Sequence, residues 1–338
     1  MRLRDMGNLE RIGILGAGLM GHAIAQLFAR HRHLVTIHDT DQAMLQSVPR
    51  RIRTNLDVYV RLGLVESSQV EEILGRVTLC GNLAEMCADR DLIIEAVSEN
   101  LELKRRVFAD LERLSSPATV LSSNTSAISI GLIAERLERP ERVLGTHFWN
   151  PPHVVPCVEV IGGPRTGPEV MEWVWRLLKS VGKEPVWVRK DVPGFLGNRM
   201  QHALWREAMS LVELGIASAE DVDRVVKFGF GLRLAFLGPL ETADLAGLDL
   251  TLDVQKDLLP NLNNRGEPSR LIKEMVARGE VGVKSGQGFH SWSSERAQSV
   301  KAARDEALLK IIRDVGGGRI RREGEAGEAN VPPFGRGR

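Results

Sequence analysis

The chain's first ordered pattern is a short apolar run, Ile12, Ile14 and Leu15, then Ile24, Leu27 and Phe28 at helical spacing, then a second apolar run of Leu34, Val35 and Ile37. Short runs bounded by turns read as strands, and apolar positions three and four apart read as one face of a helix. Residues 11–39 therefore predict strand, helix and strand. A polar-faced helical stretch follows to about Arg61, and another begins near Glu66, making an excursion from the sheet. Strand signals return at 91–95, 119–121, 142–144 and 185–188, with helical spacing between them as in Leu101–Leu114. That alternation predicts a doubly wound, mostly parallel sheet flanked by helices. From about Asp191 strand-like runs nearly vanish, and 195–214, 219–228 and 240–259 read as long helices. Val192-Pro193-Gly194 marks the junction, because proline restricts the residue before it and glycine loosens the next. The expected organisation is an α/β domain over 9–190, an all-α domain over 191–315 and a tail over 316–338.

Between the first strand and helix lies Gly16-Ala17-Gly18-Leu19-Met20-Gly21, and the second strand leads into Asp39, eighteen residues after Gly21. The first glycine permits a tight turn, the second lets backbone approach a pyrophosphate at a helix N-terminus, and the third allows close packing of helix on strand. A carboxylate at Asp39 accepts hydrogen bonds from an adenosine ribose 2′-hydroxyl and repels a 2′-phosphate. In this strand–turn–helix context the motif predicts a Rossmann-type dinucleotide site selective for NAD. The competing reading is a structural glycine turn with Asp39 capping the next helix.

A chain of 338 residues exceeds one usual hydrophobic core, which agrees with two domains. Its 45 basic and 44 acidic side chains leave a net charge of +1, so nothing overall favours nucleic acid or a membrane surface. Selectivity must come from a local site for a small molecule. Cys80, Cys87 and Cys157 show neither paired ligand spacing nor a disulfide framework, as expected in a reducing compartment. Residues 1–8 are charged, and no uninterrupted apolar run approaches membrane-spanning length, so the expected location is cytoplasmic. Residues 316–338, rich in glycine, arginine and glutamate, read as a disordered tail.

His147 stands just beyond an apolar strand, in Gly145-Thr146-His147-Phe148-Trp149-Asn150-Pro151-Pro152-His153. Ligands of open parallel sheets bind outside the carboxyl ends of the strands. An imidazole there can take a hydroxyl proton as hydride leaves the same carbon. Glu159 lies within the strand-like run Cys157-Val158-Glu159-Val160-Ile161, where an unpartnered carboxylate is costly. A histidine partner relieves that cost. The other histidines, the pair Trp173 and Trp175, and the cysteines read as packing or surface groups, with His153 lining the site; no spacing suits a metal.

Five ordered motifs together resemble the L-3-hydroxyacyl-CoA dehydrogenase family. They are Asp91-Leu92-Ile93-Ile94-Glu95-Ala96-Val97-Ser98-Glu99-Asn100, Ser123-Asn124-Thr125-Ser126, the block from His147 to Glu159, Pro193-Gly194-Phe195-Leu196-Gly197-Asn198-Arg199, and Lys284-Ser285-Gly286-Gln287-Gly288-Phe289. The resemblance spans 11–292. It implies that His147 is the general base, Glu159 its orienting carboxylate, and Ser126 and Asn198 the groups that hold the substrate oxygens. It places Glu99, Lys104, Asn150 and Lys284 near NAD, beside Gly16, Ala17, Gly18, Leu19, Met20, Gly21 and Asp39. It further implies a homodimer formed largely through the helical domain, with the active site between the domains.

The activity so implied interconverts a short-chain L-3-hydroxyacyl-CoA, such as 3-hydroxybutyryl-CoA, and the 3-ketoacyl-CoA by hydride transfer. Two family positions that hold CoA, a serine and a lysine, fall on Asn55 and Leu62, although Arg50, Arg51, Arg53 and Arg61 cluster nearby and could meet phosphates. Trp149-Asn150-Pro151-Pro152-His153, and Gly231-Leu232-Arg233 leading to Gly238-Pro239-Leu240, resemble relatives acting on free acids, including lambda-crystallin (L-gulonate 3-dehydrogenase) and pyridine-carboxylate dehydrogenases. Arg233 then pairs with a substrate carboxylate. Ser126 as a helix cap, Glu99 with Lys104 as an exposed helical pair, and an inactive NAD-binding or structural protein are the competing uses of the same residues.

Overall fold

The computed structural model describes residues 9–314; the expected tail at 316–338 lies outside them. The described chain divides into two compact units, residues 9–198 with 308–313, and residues 199–307.

In the first unit the chain runs β1 (Arg11–Leu15), α1 (Gly21–Arg30), β2 (Leu34–His38), α2 (Gln42–Gln46), α3 (Val48–Arg61), α4 (Val70–Gly75), β3 (Val77–Cys80), α5 (Leu83–Cys87) and β4 (Leu92–Glu95). It continues with α6 (Leu101–Leu114), β5 (Val120–Ser123), α7 (Ile130–Ile133), β6 (Val143–Phe148), β7 (Cys157–Gly162), α8 (Pro168–Ser180) and β8 (Glu184–Val188). The eight strands form one sheet in the order β3-β2-β1-β4-β5-β6-β7-β8. Strands β3 to β6 are parallel. Strand order reverses at β1 and β4, which opens a crevice at their carboxyl ends.

Every residue of β4, β5 and β6 is buried. Helices cover both faces of a parallel sheet, so its central strands are buried on both sides rather than alternating, and their polar residues, such as Glu95, Ser123 and His147, fall toward their carboxyl ends. Helix α1 is buried from Gly21 to Ala29 and acts as a core helix against β1 and β2. Asn100 starts α6 by accepting the Leu103 N–H at 2.9 Å, and Asn82 does the same for α5.

Two features depart from the sequence reading. Strand β3 was not expected, and its half-exposed Val-Thr-Leu-Cys pattern belongs to a sheet edge. Strand β7 turns antiparallel to β6, and β8 runs parallel to β7. In the antiparallel register His147 lies directly opposite Glu159. Opposed residues project to the same face within side-chain reach.

The second unit is mainly helical: α9 (Gly197–Glu213) enters it, followed by α10 (Ala219–Phe228), α11 (Phe230–Arg233), α12 (Pro239–Ala246), α13 (Leu248–Leu258), α14 (Arg270–Ala277) and most of α15 (Ser294–Asp314). The single helix expected over 240–259 is two helices, because Gly247 takes φ +96° and breaks it. The unit also contains bridges from Gln287 to Gly282 and Ser291. Large apolar side chains remain exposed here, among them Phe228 at 78% and Leu240 at 80%. Among the described residues no helix is long and apolar enough to cross a membrane.

Candidate active site

The glycine turn has the shape a dinucleotide needs. Gly16 sits at φ +103°, and a Cβ there would lie 2.6 Å from the Ala96 carbonyl oxygen. A Cβ on Gly21 would lie 1.7 Å from the Gly16 carbonyl oxygen, whereas one on Gly18 would meet nothing within 4 Å. The first and third glycines are thus demanded by close packing, and the second faces open space where a pyrophosphate can approach. Asp39 accepts from the Ala17 N–H at 2.6 Å and from the Asp41 N–H at 2.9 Å. Asp41, not Asp39, caps α2. Leu19 is exposed and Met20 half-buried within the turn. The open space at Gly18 fits a pyrophosphate such as that of NAD, and Asp39 beside the turn is a carboxylate that can accept from a ribose hydroxyl.

Of the arginine cluster, Arg50 and Arg61 are exposed, whereas Arg51 and Arg53 serve other ends than expected. Arg51 donates to the carbonyls of Ala17 at 2.7 Å and Gly18 at 3.1 Å, bracing the glycine turn from α3. Arg53 pairs with Glu71 at 2.6 Å. Asn55 donates to the Gln26 side chain at 2.8 Å, and Leu62 packs against the core.

Next to the turn, the ends of β4 and β5 carry a buried charge network. Lys104 is 1% exposed, with Nζ 2.7 Å from Glu95 and 3.5 Å from Glu99, which corrects the reading of Glu99 and Lys104 as an exposed helical pair. Glu95 also accepts from Ser123 Oγ at 2.6 Å and from the Val97 N–H at 2.7 Å. Sequence reasoning passed over Glu95, although it ends an apolar strand just as Glu159 interrupts one. Glu99 Oε1 accepts from Thr125 Oγ1 at 2.6 Å and from the N–H groups of Ser126 at 2.9 Å and Ala127 at 3.1 Å. Burial pushes the Glu99 pKa up, but the Thr125 hydroxyl, Lys104 and those two N–H groups outweigh it and hold the carboxyl below its ordinary value. Ser126 does not cap the following helical turn, since Thr125 Oγ1 accepts the Ile128 N–H and Ser129 caps α7. The Ser126 side chain is exposed at the sheet's carboxyl edge, and Asn198 Nδ2 donates to its carbonyl at 2.9 Å. Those two residues meet.

His147 and Glu159 also meet. Nδ1 lies 2.7 Å from Oε2, and the two residues are 5% and 2% exposed. Glu159 Oε1 accepts from the N–H groups of Leu196 at 2.8 Å and Gly197 at 3.0 Å. Burial alone would raise the Glu159 pKa; the hydrogen bond from His147 and the two backbone N–H groups overcome it and hold the carboxyl below its ordinary value. An ionised carboxylate only accepts, so in the neutral imidazole it is Nδ1 that carries the ring proton and Nε2 that keeps the lone pair. Trp149 and Phe195 pack on the imidazole, with ring centroids at 5.2 and 5.8 Å. A Cβ on Gly197 would lie 2.0 Å from the Trp149 ring, so this glycine makes room for that packing. The Phe148 N–H donates to Asn124 at 2.9 Å, tying β6 to the loop that carries Ser126. Asn150 follows Trp149 and is exposed. Lys284 and Arg233 belong to the second unit, where both are exposed.

Among the other histidines His22, His33 and His38 are buried and His202 is exposed, and Cys80 and Cys87 are buried. His22 binds the Gly18 carbonyl, and burial lowers its pKa to about 4. Cys87 and Cys157 are pushed up to about 11 by burial, which makes both poor nucleophiles at neutral pH. Trp173 and Trp175 are each 7% exposed and lie on α8 against the sheet.

The chain matches two family models in sequence: 3-hydroxyacyl-CoA dehydrogenase, NAD binding domain, over 11–192, and 3-hydroxyacyl-CoA dehydrogenase, C-terminal domain, over 194–292. It is 34% identical over 305 residues to 5-formyl-3-hydroxy-2-methylpyridine 4-carboxylate 5-dehydrogenase of Mesorhizobium japonicum, covering 90% of this chain and 98% of the relative. It is 34% identical over 288 residues to a probable 3-hydroxybutyryl-CoA dehydrogenase of Bacillus subtilis, covering 85% and 99%. A crystal structure of the pyridine-carboxylate enzyme, described as an NAD+-dependent dismutase, superposes with a TM-score of 0.85 at 33% identity, over 91% of this chain and 99% of that one.

Proposed function

The chain belongs to the 3-hydroxyacyl-CoA dehydrogenase family, a family of NAD-dependent oxidoreductases, and we propose that within it this protein oxidises the hydroxyl group of a small free hydroxy acid rather than of a CoA thioester. The observation that carries the choice is the state of α3. Asn55 is spent on Gln26, Leu62 packs half-buried against the core, Arg51 braces the glycine turn and Arg53 pairs with Glu71. The two family positions for CoA are thus amide and apolar, and two of the four nearby arginines are engaged, while Arg50 and Arg61 stay exposed. The similarity to a free pyridine-carboxylate dehydrogenase over nearly the full length of both chains points the same way. The second reading, a short-chain 3-hydroxyacyl-CoA substrate, rests on the relatives named for that activity.

The chemistry is common to both readings. His147 Nε2 takes the hydroxyl proton, and Glu159 stabilises the imidazolium that results. Ser126 and Asn198 hold the substrate oxygen, where oriented donors count most as negative charge develops during reduction. Glu99, through the Thr125–Ala127 backbone, fixes the loop that presents Ser126. Bound NAD supplies the hydride acceptor. Asn150 and Lys284 contact the cofactor, and Arg233 takes the substrate carboxylate. The exposed apolar side chains of the second unit, Phe228 and Leu240 among them, pair in a homodimer, and the enzyme works in the cytoplasm.

The test is NADH formation with L-gulonate, free 3-hydroxybutyrate and (S)-3-hydroxybutyryl-CoA in parallel. The free-acid reading expects kcat/KM for a free acid to exceed that for the thioester by at least about tenfold. A preference for the thioester overturns it in favour of the second reading. Tight NADH binding with no turnover of any member would place the chain among structural NAD-binding proteins.

A further inference from the structure

A cavity of about 420 Å³ in the first unit is lined by none of the turn, dyad or substrate residues described above. That volume falls in the range of about 300–1,000 Å³ typical of small-molecule sites. Its walls come from the end of α1, from Tyr59 on α3, from the end of α4, from Lys183 before β8 and from the last turns of α15. Five of its lining residues are cations, Arg30, Arg32, Arg76, Lys183 and Arg313, against one acid, Glu72. Glu72 is already taken by Arg76.

Two of the cations lack a counter-charge. Lys183 is 2% exposed, and its ammonium donates to the carbonyls of Pro152 at 2.6 Å and Val155 at 2.7 Å. No carboxylate pairs with it among the described residues, and one of its three N–H donors is left over. Arg30 stacks over the Tyr59 ring at 4.7 Å and likewise has no acid partner among them. The like charges oppose each other. Burial, reinforced by Arg30, pushes Lys183 down to about 7, and burial with Arg30, His33 and Lys183 nearby holds His31 at about 4. Unpaired cations around a half-buried void are unfavourable until an anion enters. Leu27, Ile73 and Leu309 add an apolar wall on which an organic body can rest.

We propose that this cavity is a second ligand site, one that binds an organic anion through its phosphate or carboxylate group, with Lys183 and Arg30 as the charged contacts.

The experiment is calorimetric titration of the full-length protein with phenyl phosphate and with inorganic phosphate at constant ionic strength, with and without saturating NADH. One saturable site per chain is expected, tighter for phenyl phosphate than for inorganic phosphate and unaffected by NADH. Arg30→Gln, at a half-exposed position that should leave folding intact, is expected to weaken binding by about tenfold, the loss of one charge-assisted contact. Lys183→Met should weaken it at least as much if it folds. CoA that displaces phenyl phosphate would support the site and assign its anion to a bound thioester, and absence of displacement would support it as a site for a free metabolite. Binding that fails to saturate, that NADH displaces, or that Arg30→Gln leaves unchanged overturns the proposal.

Discussion

In the first unit a histidine and a carboxylate meet inside a sheet, His147 and Glu159, both nearly free of solvent contact, with the acid's other oxygen held by two backbone N–H groups. In the second unit His290 stands 3.1 Å from Asp223 and 3.6 Å from Glu220, with carboxylates that are 48% and 67% exposed. The residue types are the same and the separations similar. What differs is the surrounding. Water screens the second cluster and leaves it little energy to direct, as for most surface ion pairs. The buried pair loses water, so its geometry is held by specific donors and its free ring nitrogen points one way. A histidine–carboxylate contact alone does not mark a chemical site; the His147 pair adds burial, backbone donors and a place at the carboxyl edge of a parallel sheet.

The contrast is broken or sharpened first at the histidines. His147→Ala should lower kcat by about a hundredfold or more, the usual worth of a general base, while His290→Ala should stay within about threefold. Steady-state NADH formation reads both, and similar losses would erase the distinction. Next come the acids. Glu159→Gln should cost about ten- to a hundredfold in kcat because the ring loses its orienting acceptor, with NADH affinity unchanged by fluorescence titration. Asp223→Asn should change neither.

Acid stability separates the pairs more finely. The folded-state Glu159 carboxyl titrates below its ordinary value of 4.5, so its contribution is full above that value and is lost as pH falls through the depressed one. Calorimetry between about pH 5 and pH 3 should show the wild type losing more Tm than Glu159→Gln, the variant having no such contribution to lose. Parallel losses would mean that the pair adds nothing to folding. The smallest effect on chemistry is expected at the surface of the second unit. Phe228→Glu or Leu240→Glu should shift sedimentation from dimer to monomer with kcat within about twofold. A wild-type monomer would remove the dimer from the account.

Periodicity made the nucleotide half of the first unit readable, since the glycines, the apolar strands and Asp39 occupy consecutive positions in one strand–helix–strand unit. Leu101–Leu114 likewise appears as expected, with Asn100 at its cap. Other features depend on distant pairing. A carboxylate inside an apolar strand-like run suggests Glu159 as a partner for His147, but the antiparallel turn of β7 that sets them face to face depends on sheet pairing that local pattern does not encode. The backbone donors to Glu159 come from Leu196 and Gly197, far along the chain. The resemblance places Lys104 near NAD, with an exposed pair with Glu99 as the competing reading; only the meeting of β4, β5 and α6 shows that it is buried against Glu95. Gly247 was legible as a glycine within a helical pattern, but its positive φ, which splits the helix, was not.

In the proposed reaction the Nε2 atom of one buried imidazole, His147, moves the hydroxyl proton during hydride transfer. The direct measurement is chemical rescue, in which free imidazole is titrated into His147→Ala at saturating NAD and substrate while NADH formation is followed. A saturable rise of at least about tenfold, tracking the unprotonated imidazole as pH is varied, is predicted for a lost general base. A His147→Ala enzyme that already turns over near the wild-type rate, leaving imidazole nothing to restore, would contradict it.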